Sequence, residues 1–230
     1  MRPHHIIHVS GVAAFLAVAS SAVLAYAYPS NNVAVAAPNV PVISNEVVTS
    51  TVPLAEALEE VKEPIFGLPI SNAFDRVTKK TFGLEVHPET SPVQNDRFNG
   101  FHVGVDFETT AAEADTEVQI SAICDGPLIS KQFAKGYGGY ALQSCELDGE
   151  KVVVLYGHMD LERIEPEPKD RLKRGDLIGV LGEGYSSETD GVRKHLHLGV
   201  HRGTGIDIRG YVQTTSEVSG WLDVLPYLKP

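Results

Sequence analysis

Cysteine and positive charge are both scarce in this chain of 230 residues. The two cysteines, Cys124 and Cys145, are too few for a disulfide scaffold or a cysteine-rich zinc finger. They could pair if the chain is exported, or they could be two small buried apolar residues. Lys and Arg number 19 against 30 Asp and Glu, which gives a formal charge of −11. This balance argues against nucleic acid as a partner, because phosphate neutralisation needs a basic surface.

Charge is absent from a stretch near the N-terminus. Residues 9–27 are uncharged and rich in Ala, Val, Leu and Ser, and they end in Ala25-Tyr26-Ala27. A small-residue pattern of this kind is accepted by signal peptidases. The stretch is long for a cleaved signal and just long enough to cross a bilayer as a helix. Residues 1–27 are therefore predicted to be a signal peptide or a membrane-anchoring helix. Either one makes the remainder extracytoplasmic, whether secreted, periplasmic or facing the cell wall.

Residues 28–64 lack an amphipathic pattern. They are rich in Val, Ala, Ser and Asn and are interrupted repeatedly by proline. This composition predicts a flexible linker that leads to a domain over residues 65–230.

The domain lacks any long segment with the 3.6-residue period of a helix. Short β-rich runs alternate with turns instead. The runs are Glu117 to Ile123, Tyr140 to Cys145, Lys151 to Tyr156, Leu177 to Leu181 and His195 to His201. Asp148-Gly149 between two of these runs predicts a hairpin, since both positions tolerate positive φ. The fold class is therefore predicted to be all-β, a compact antiparallel sheet or barrel-like domain.

His102 and Asp106 are the first pair of residues suited to bind a metal. The intervening Val103, Gly104 and Val105 favour extended chain over helix. In a straight strand the pair would lie about 13 Å apart, too far for one metal with bonds of roughly 2 Å. The segment must therefore bend, and Gly104 is the residue expected to permit it.

His195 and His197 form a second pattern. Residues two apart in a strand share a face and lie roughly 6 to 7 Å apart, so both imidazoles can serve one centre. The alternative is a polar, solvent-facing edge with Leu196 and Leu198 packed inward.

His158 directly follows an apolar strand, where side chains emerge at the rim of a sheet. The other two histidines of the domain, His87 and His201, are interpreted as surface or structural residues.

Together these motifs resemble the lysostaphin-type, or LytM-like, zinc metalloendopeptidases that act on peptidoglycan. The resemblance extends from about residue 75 to about residue 228. It rests on motifs in the order of that family: His102-x-x-x-Asp106, the glycine turn Gly136-Tyr137-Gly138-Gly139-Tyr140, Tyr156-Gly157-His158-Met159, the hairpin Leu172 to Gly179, and His195-x-His197.

The resemblance implies a zinc ion held by His102, Asp106 and His197, with the fourth position left for water. Three protein ligands and an open position are what a catalytic zinc requires. His158 and His195 would share the remaining roles, one as proton acceptor and the other as oxyanion stabiliser and proton donor. The function implied is an exported endopeptidase that hydrolyses peptide bonds in peptidoglycan, with peptidoglycan peptides as its partners.

The sequence departs from the family pattern at two places. The connection before His195, residues 183–194, is longer and more charged than the usual short turn. It is expected to border the cleft and to affect substrate preference rather than the metal site. Leu84 and Glu85 stand where relatives often have an Arg. The sequence leaves open whether the linker, or residues such as Asn72 or Asn95, block the zinc in a latent form.

Two other functions compete with this prediction. The first is a non-catalytic wall-binding or regulatory domain on the same fold, but such relatives typically lose ligands or histidines, and all five positions are present here. The second is a lipoyl- or biotinyl-like carrier, suggested by the hairpin residues 173–176. A carrier needs an exposed Lys that typically lies beside Met, and Met159 is far from Lys173 in sequence.

Overall fold

The structure, a computed structural model, describes residues 66–229, and the regular secondary structure of this part of the chain is mostly β-strand. Its single α-helix, α1, is one turn long (Thr215–Val218). The strands are β1 (Glu85–Val86), β2 (Gly100–His102), β3 (Gly104–Glu108), β4 (Gln119–Ser121), β5 (Gly126–Ala134), β6 (Gly138–Leu147), β7 (Glu150–Met159), β8 (Arg171–Leu172), β9 (Leu177–Val180), β10 (His195–Arg202) and β11 (Tyr211–Val212). The predicted all-β class is confirmed in its main feature, since the described residues are mostly antiparallel β-sheet with little helix.

The predictions for the N-terminal segments concern residues that the structure does not describe. The signal or anchor over residues 1–27 and the linker over residues 28–64 lie outside the described residues. Within residues 66–229, no helix is long and apolar enough to span a bilayer.

The strands form three sheets. The largest has six strands in the order β3-β10-β7-β6-β5-β8, the second has the order β1-β2-β11, and the third pairs β4 with β9. Neighbouring strands are antiparallel in all three sheets. The beginning and end of the described chain also meet, since Phe66 bridges Leu228.

The six-stranded sheet is buried on both faces at the end formed by β3 and β10. All five residues of β3 and the first six of β10 are buried. Leu196 and Leu198 pack into the main hydrophobic core, and His195 and His197 on the opposite face are only 2% and 3% exposed. The interpretation of this strand as a polar, solvent-facing edge is therefore wrong.

The predicted hairpin lies between β6 and β7. Leu147 pairs with Glu150, and the two turn residues Asp148 and Gly149 both have positive φ, at 50° and 81°. This two-residue turn has the twist that the flanking strands require. It fixes the register of β6 and β7 as far as Gly157, after which the register shifts and leaves His158 without a pairing partner on β6.

The two cysteines form a disulfide. Cys124, which lies just before β5, is bonded to Cys145 of β6, with their Cα atoms 5.9 Å apart. This separation is usual for a disulfide. Of the two alternatives that the sequence allowed, a disulfide or two unpaired buried cysteines, the structure therefore has the disulfide.

Candidate metal centre and cleft

A cleft of about 350 Å³ is lined by residues of β3, β10 and β7 of the six-stranded sheet. Four of the five predicted site residues line it: Asp106, His158, His195 and His197. The fifth, His102, is completely buried beneath them. Aromatic and aliphatic side chains of Phe98, Tyr137, Ile208 and Tyr211 form much of the remaining wall. The structure thus brings all five residues to one place.

The register of β10 against β3 determines which histidine meets Asp106. His197 pairs directly with Asp106, and His195 pairs with Glu108. Side chains directly opposite each other in an antiparallel pair have Cβ atoms about 5 Å apart. His197 is therefore placed beside the Asp106 carboxylate by the strand pairing itself.

His102 reaches the same point because the chain changes sheets at Val103. β2 pairs with β1 and β11, whereas β3 pairs with β10, so His102 and Asp106 belong to different sheets. The predicted bend is present, but Gly104 has a different role from the one expected. A Cβ atom at Gly104 would lie 2.5 Å from the imidazole of His197. Glycine is needed here to leave room for that ring.

The three donor atoms converge closely. Nε2 of His102 lies 3.2 Å from Oδ1 of Asp106 and 3.0 Å from Nδ1 of His197, and that Nδ1 lies 3.1 Å from the same Oδ1. Ligands of a tetrahedral zinc ion with bonds of about 2.0 Å are separated by roughly 3.3 Å. A buried set of two imidazoles and one carboxylate with this spacing fits a zinc ion.

Backbone carbonyls fix the orientation of the imidazoles. Nδ1 of His102 lies 3.1 Å from the Thr81 carbonyl oxygen. Because a carbonyl oxygen only accepts, Nδ1 carries the proton and Nε2 is left with the lone pair that a metal needs. The same argument applies to His158, whose Nδ1 donates to the Tyr137 carbonyl at 2.8 Å. Its Nε2 is therefore free to accept a proton.

His195 is held next to His158. Its Nδ1 donates to the carbonyl oxygen of Arg193 at 2.9 Å, and its Nε2 lies 3.3 Å from Oδ2 of Asp106. The ring centroids of His158 and His195 are 4.3 Å apart. The two histidines thus occupy one side of the cleft, next to the three converging donors.

Burial sets the ionisation of the centre. Burial and the neighbouring His195 and His197 hold the pKa of His158 well below its usual value. Burial likewise lowers the pKa of His197 to about 4. Burial alone would raise the pKa of Asp106, but His195 and His102 outweigh it and hold that pKa well below its usual value. Neutral imidazoles and an ionised carboxylate are the states in which these groups bind a metal.

Comparison with known proteins supports the resemblance that the sequence motifs indicated. Residues 100–209 match the model of Peptidase family M23. All five predicted site residues lie within the matched residues, and the match favours a peptidase over a carrier of lipoyl or biotinyl groups. No curated protein matches the chain.

Several solved structures are similar to the chain. The catalytic domain of lysostaphin from Staphylococcus simulans is 18% identical, with a TM-score of 0.47 over 70% of this chain and 98% of that one. LytU is 22% identical, with a TM-score of 0.43 over 66% and 83% of the two chains. A zinc-containing peptidase from Vibrio cholerae is 19% identical, with a TM-score of 0.42 over 63% and 41%.

His158 has an unusual backbone conformation. Its φ is 63°, in the left-handed region that residues other than glycine rarely adopt. Such conformations cost about 1 to 3 kcal/mol and persist where the surrounding structure imposes them. Here the conformation occurs where β7 reaches the cleft, and it accompanies the bond from His158 to the Tyr137 carbonyl.

Tyr137 is a cleft residue whose importance the sequence motifs did not reveal. Its hydroxyl lies 3.4 Å from Nε2 of His197, and burial raises its pKa, so it stays a neutral phenol. A Cβ atom at Gly157 would lie 2.6 Å from its ring, and one at Gly210 would lie 2.7 Å from its hydroxyl. These two glycines leave space for Tyr137 beside the metal centre. Its position within the glycine turn was the available signal.

Lys80 supports the part of the cleft wall formed by Phe98 and Tyr211. The sequence motifs did not reveal this residue either. It is 1% exposed, and its Nζ lies 2.6 Å from a carboxylate oxygen of Asp96 and 2.7 Å from the Tyr211 hydroxyl. Tyr211 in turn stacks on Phe98, with ring centroids 5.0 Å apart. The charge pair fixes both aromatic rings in the wall.

The charged connection of residues 183–194 contributes to the cleft wall and is held there by hydrogen bonds. Asp190 accepts hydrogen bonds from Arg97 and from the backbone of Gly136. Arg193 contacts Asp106 with its side chain, at 2.8 Å. The connection therefore borders the cleft as predicted, and it also reaches a predicted metal ligand, which was not expected.

The remaining candidates lie away from the cleft. His87 is exposed and contacts Asn99, and His201 packs edge-on against Trp221. Neither lines the cleft, and neither do Asn72 or Asn95, the two residues considered as blocking groups.

Proposed function

We propose that this domain is a member of peptidase family M23 and an exported, zinc-dependent endopeptidase that hydrolyses peptide bonds in peptidoglycan. His102, Asp106 and His197 would hold the zinc ion, and His158 and His195 would transfer protons. The observation that carries the proposal is the convergence of three donor atoms within 3.0 to 3.2 Å of one another. The two other histidines lie immediately beside them.

The protein residues would divide the chemistry with the metal. When bound, zinc supplies a Lewis acid that lowers the pKa of water to about 7 and polarises a carbonyl. His158 and His195 would divide the remaining roles, one accepting a proton and the other stabilising the oxyanion and protonating the leaving amine. Nε2 of His158 is free for either role, because its Nδ1 donates to the Tyr137 carbonyl. His195 is held by the Arg193 carbonyl so that its Nε2 faces the same region. The partly apolar walls would position the peptide and exclude water.

Export and domain extent are part of the proposal. Residues 1–27 would direct the chain out of the cytoplasm, residues 28–64 would act as a tether, and residues 65–230 would form the folded unit. The pairing of Phe66 with Leu228 supports a unit whose two ends meet. N-terminal sequencing of the protein recovered from outside the cytoplasm, or from the membrane, separates a cleaved signal from a retained anchor.

Zinc content and product chemistry test the function. The purified protein is expected to contain about one zinc per chain and to lower the turbidity of purified cell walls, and a chelator should stop this. New free amino groups should appear. New reducing sugar ends would indicate glycan cleavage and contradict the assignment. Bound zinc with no hydrolysis would favour the non-catalytic wall-binding or regulatory domain instead.

A further inference from the structure

Two carboxylates lie on the same buried face of β3. Asp106 and Glu108 are two residues apart on that strand and are 1% and 9% exposed. Residues at this spacing point to the same side of a strand. Two buried carboxylates repel each other and are costly unless a cation accompanies them. The structure must therefore provide a partner for both.

Arg193 provides that partner. Its Nε lies 3.0 Å and 2.9 Å from the two carboxylate oxygens of Glu108, and its Nη2 lies 2.8 Å from Oδ2 of Asp106. Nη2 also donates to Glu108. The rigid, planar arrangement of guanidinium N–H groups suits this double contact, which the single ammonium group of a lysine cannot reproduce.

The two oxygens of Asp106 consequently have different neighbours. Oδ1 faces the predicted ligands His102 and His197, whereas Oδ2 faces Arg193 and His195. A carboxylate with one oxygen held by an arginine presents only the other to a metal. The contact with Arg193 therefore favours binding through Oδ1 alone.

Arg193 also acts through its backbone. Its carbonyl oxygen accepts the Nδ1 proton of His195 at 2.9 Å. One residue of the charged connection thus orients two of the five site residues, the Asp106 carboxylate and the His195 imidazole.

We propose that Arg193, held by Glu108, is a positioning residue that orients Asp106 for metal binding. This inference rests on the proposed function, since it concerns the same zinc site. Outer contacts of this kind typically change metal affinity or activity by 10- to 100-fold when they are removed.

Zinc affinity of the full chain, measured by competition with a chromogenic chelator, is the principal test. Arg193→Lys keeps the positive charge but loses the planar guanidinium that contacts both carboxylates. The Kd for zinc should therefore rise about 10- to 100-fold. The value of kcat at limiting zinc should fall, with KM for a wall peptide within about twofold of the parent. Arg163→Ala is the matched control, because Arg163 pairs with Glu117 on the exposed surface. It should leave the zinc Kd unchanged.

Glu108→Gln provides a second variant if Arg193→Lys does not fold. It leaves Arg193 in place but removes the charge that holds the guanidinium, so it should weaken zinc binding in the same direction by a smaller factor. An unchanged zinc Kd in the folded variants would overturn the role of Arg193 while leaving the proposed function intact. A rise in KM alone would also overturn it, since Arg193 would then contact substrate. A parent chain that binds no zinc would instead contradict the proposed function.

Discussion

His195 and His197 occupy alternate positions of one strand, and each approaches a different oxygen of Asp106 with a different ring nitrogen. His197 is opposite Asp106 and its Nδ1 lies 3.1 Å from that carboxylate, whereas Nδ1 of His195 donates to a backbone carbonyl. The first environment suits a metal ligand and the second suits an oriented acid or base. Strand register, more than residue type, separates the two roles.

Substituting each histidine should therefore give a different defect. His197→Ala removes a ligand, so zinc content and hydrolysis should fall together. His195→Ala leaves the three donors in place, so zinc should stay bound while the rate falls about 10²- to 10⁴-fold, the usual effect of removing a positioned acid or base. Asp106→Ala should behave like His197→Ala, and His158→Ala like His195→Ala. Metal analysis and hydrolysis rates on the same samples give the comparison. Loss of zinc in His195→Ala with retention in His197→Ala would reverse the proposed ligands.

The site residues differ in how well the sequence predicts them. The five proposed ligands and catalytic histidines lie in short motifs whose spacing identifies them together. Arg193 could not be recognised in this way, because its partners Glu108 and Asp106 lie 85 and 87 residues earlier in the chain. Its role depends on the pairing of β10 with β3, which no local pattern specifies.

At the scale of the secondary-structure elements, long apolar runs were predictable and short strands were not. The hairpin of β6 and β7 follows from two apolar runs around Asp148-Gly149. β1 and β11 contain only two residues each, too few to show an alternating pattern. They exist because β2 lies between them and pairs with both.

The disulfide should stabilise the fold without affecting the metal centre. Cys145 pairs with Val152 at one end of β6 and β7, whereas Tyr140 pairs with Gly157 at the other end, next to His158. Closing a loop with 21 residues of sequence separation should contribute about 3 kcal/mol to the free energy of unfolding. The double variant Cys124→Ala, Cys145→Ala should lose this amount in urea unfolding and keep its zinc. A loss of zinc at the same step would show that the two regions are coupled.

A buried arginine attaches the first described segment to the sheet. Arg76 is 6% exposed, donates to the Glu108 carbonyl, and forms a two-pronged pair with Glu113 at 2.8 Å for each bond. The hydrogen bond from Arg76 is the main cause that lowers the pKa of Glu113 to about 2. Because the folded pKa is depressed, the stabilisation is complete above the unfolded pKa of about 4.3 and is lost as pH falls towards 2.

Glu113→Gln should therefore destabilise the protein at pH 7 and have progressively less effect below pH 4. Urea unfolding of parent and variant across this range measures the difference. Glu146→Gln is the control, since Glu146 and Lys151 form an exposed pair, and such pairs contribute little. A difference for Glu113→Gln that stays constant with pH would contradict the role of its charge.

For the whole molecule, the sequence predicted a mostly-β fold but not its division into separate sheets. Hydrophobic alternation identifies strands but does not say which strands pair, because pairing depends on residues distant in sequence. The change of sheet at Val103 is an example. A bend between His102 and Asp106 followed from their spacing, whereas the membership of β2 and β3 in different sheets did not.

That change of sheet makes the proposed metal a link between sheets. His102 belongs to the three-stranded sheet, and Asp106 and His197 belong to the six-stranded one. An ion bound by all three would favour only the state in which both sheets are assembled. By mass action, free zinc at about 1,000 times its Kd should stabilise the fold by about 4 kcal/mol. Thermal unfolding of the parent should shift upward with free zinc, and that of Asp106→Ala should not. The folded fraction of this protein would then report how much zinc its compartment supplies.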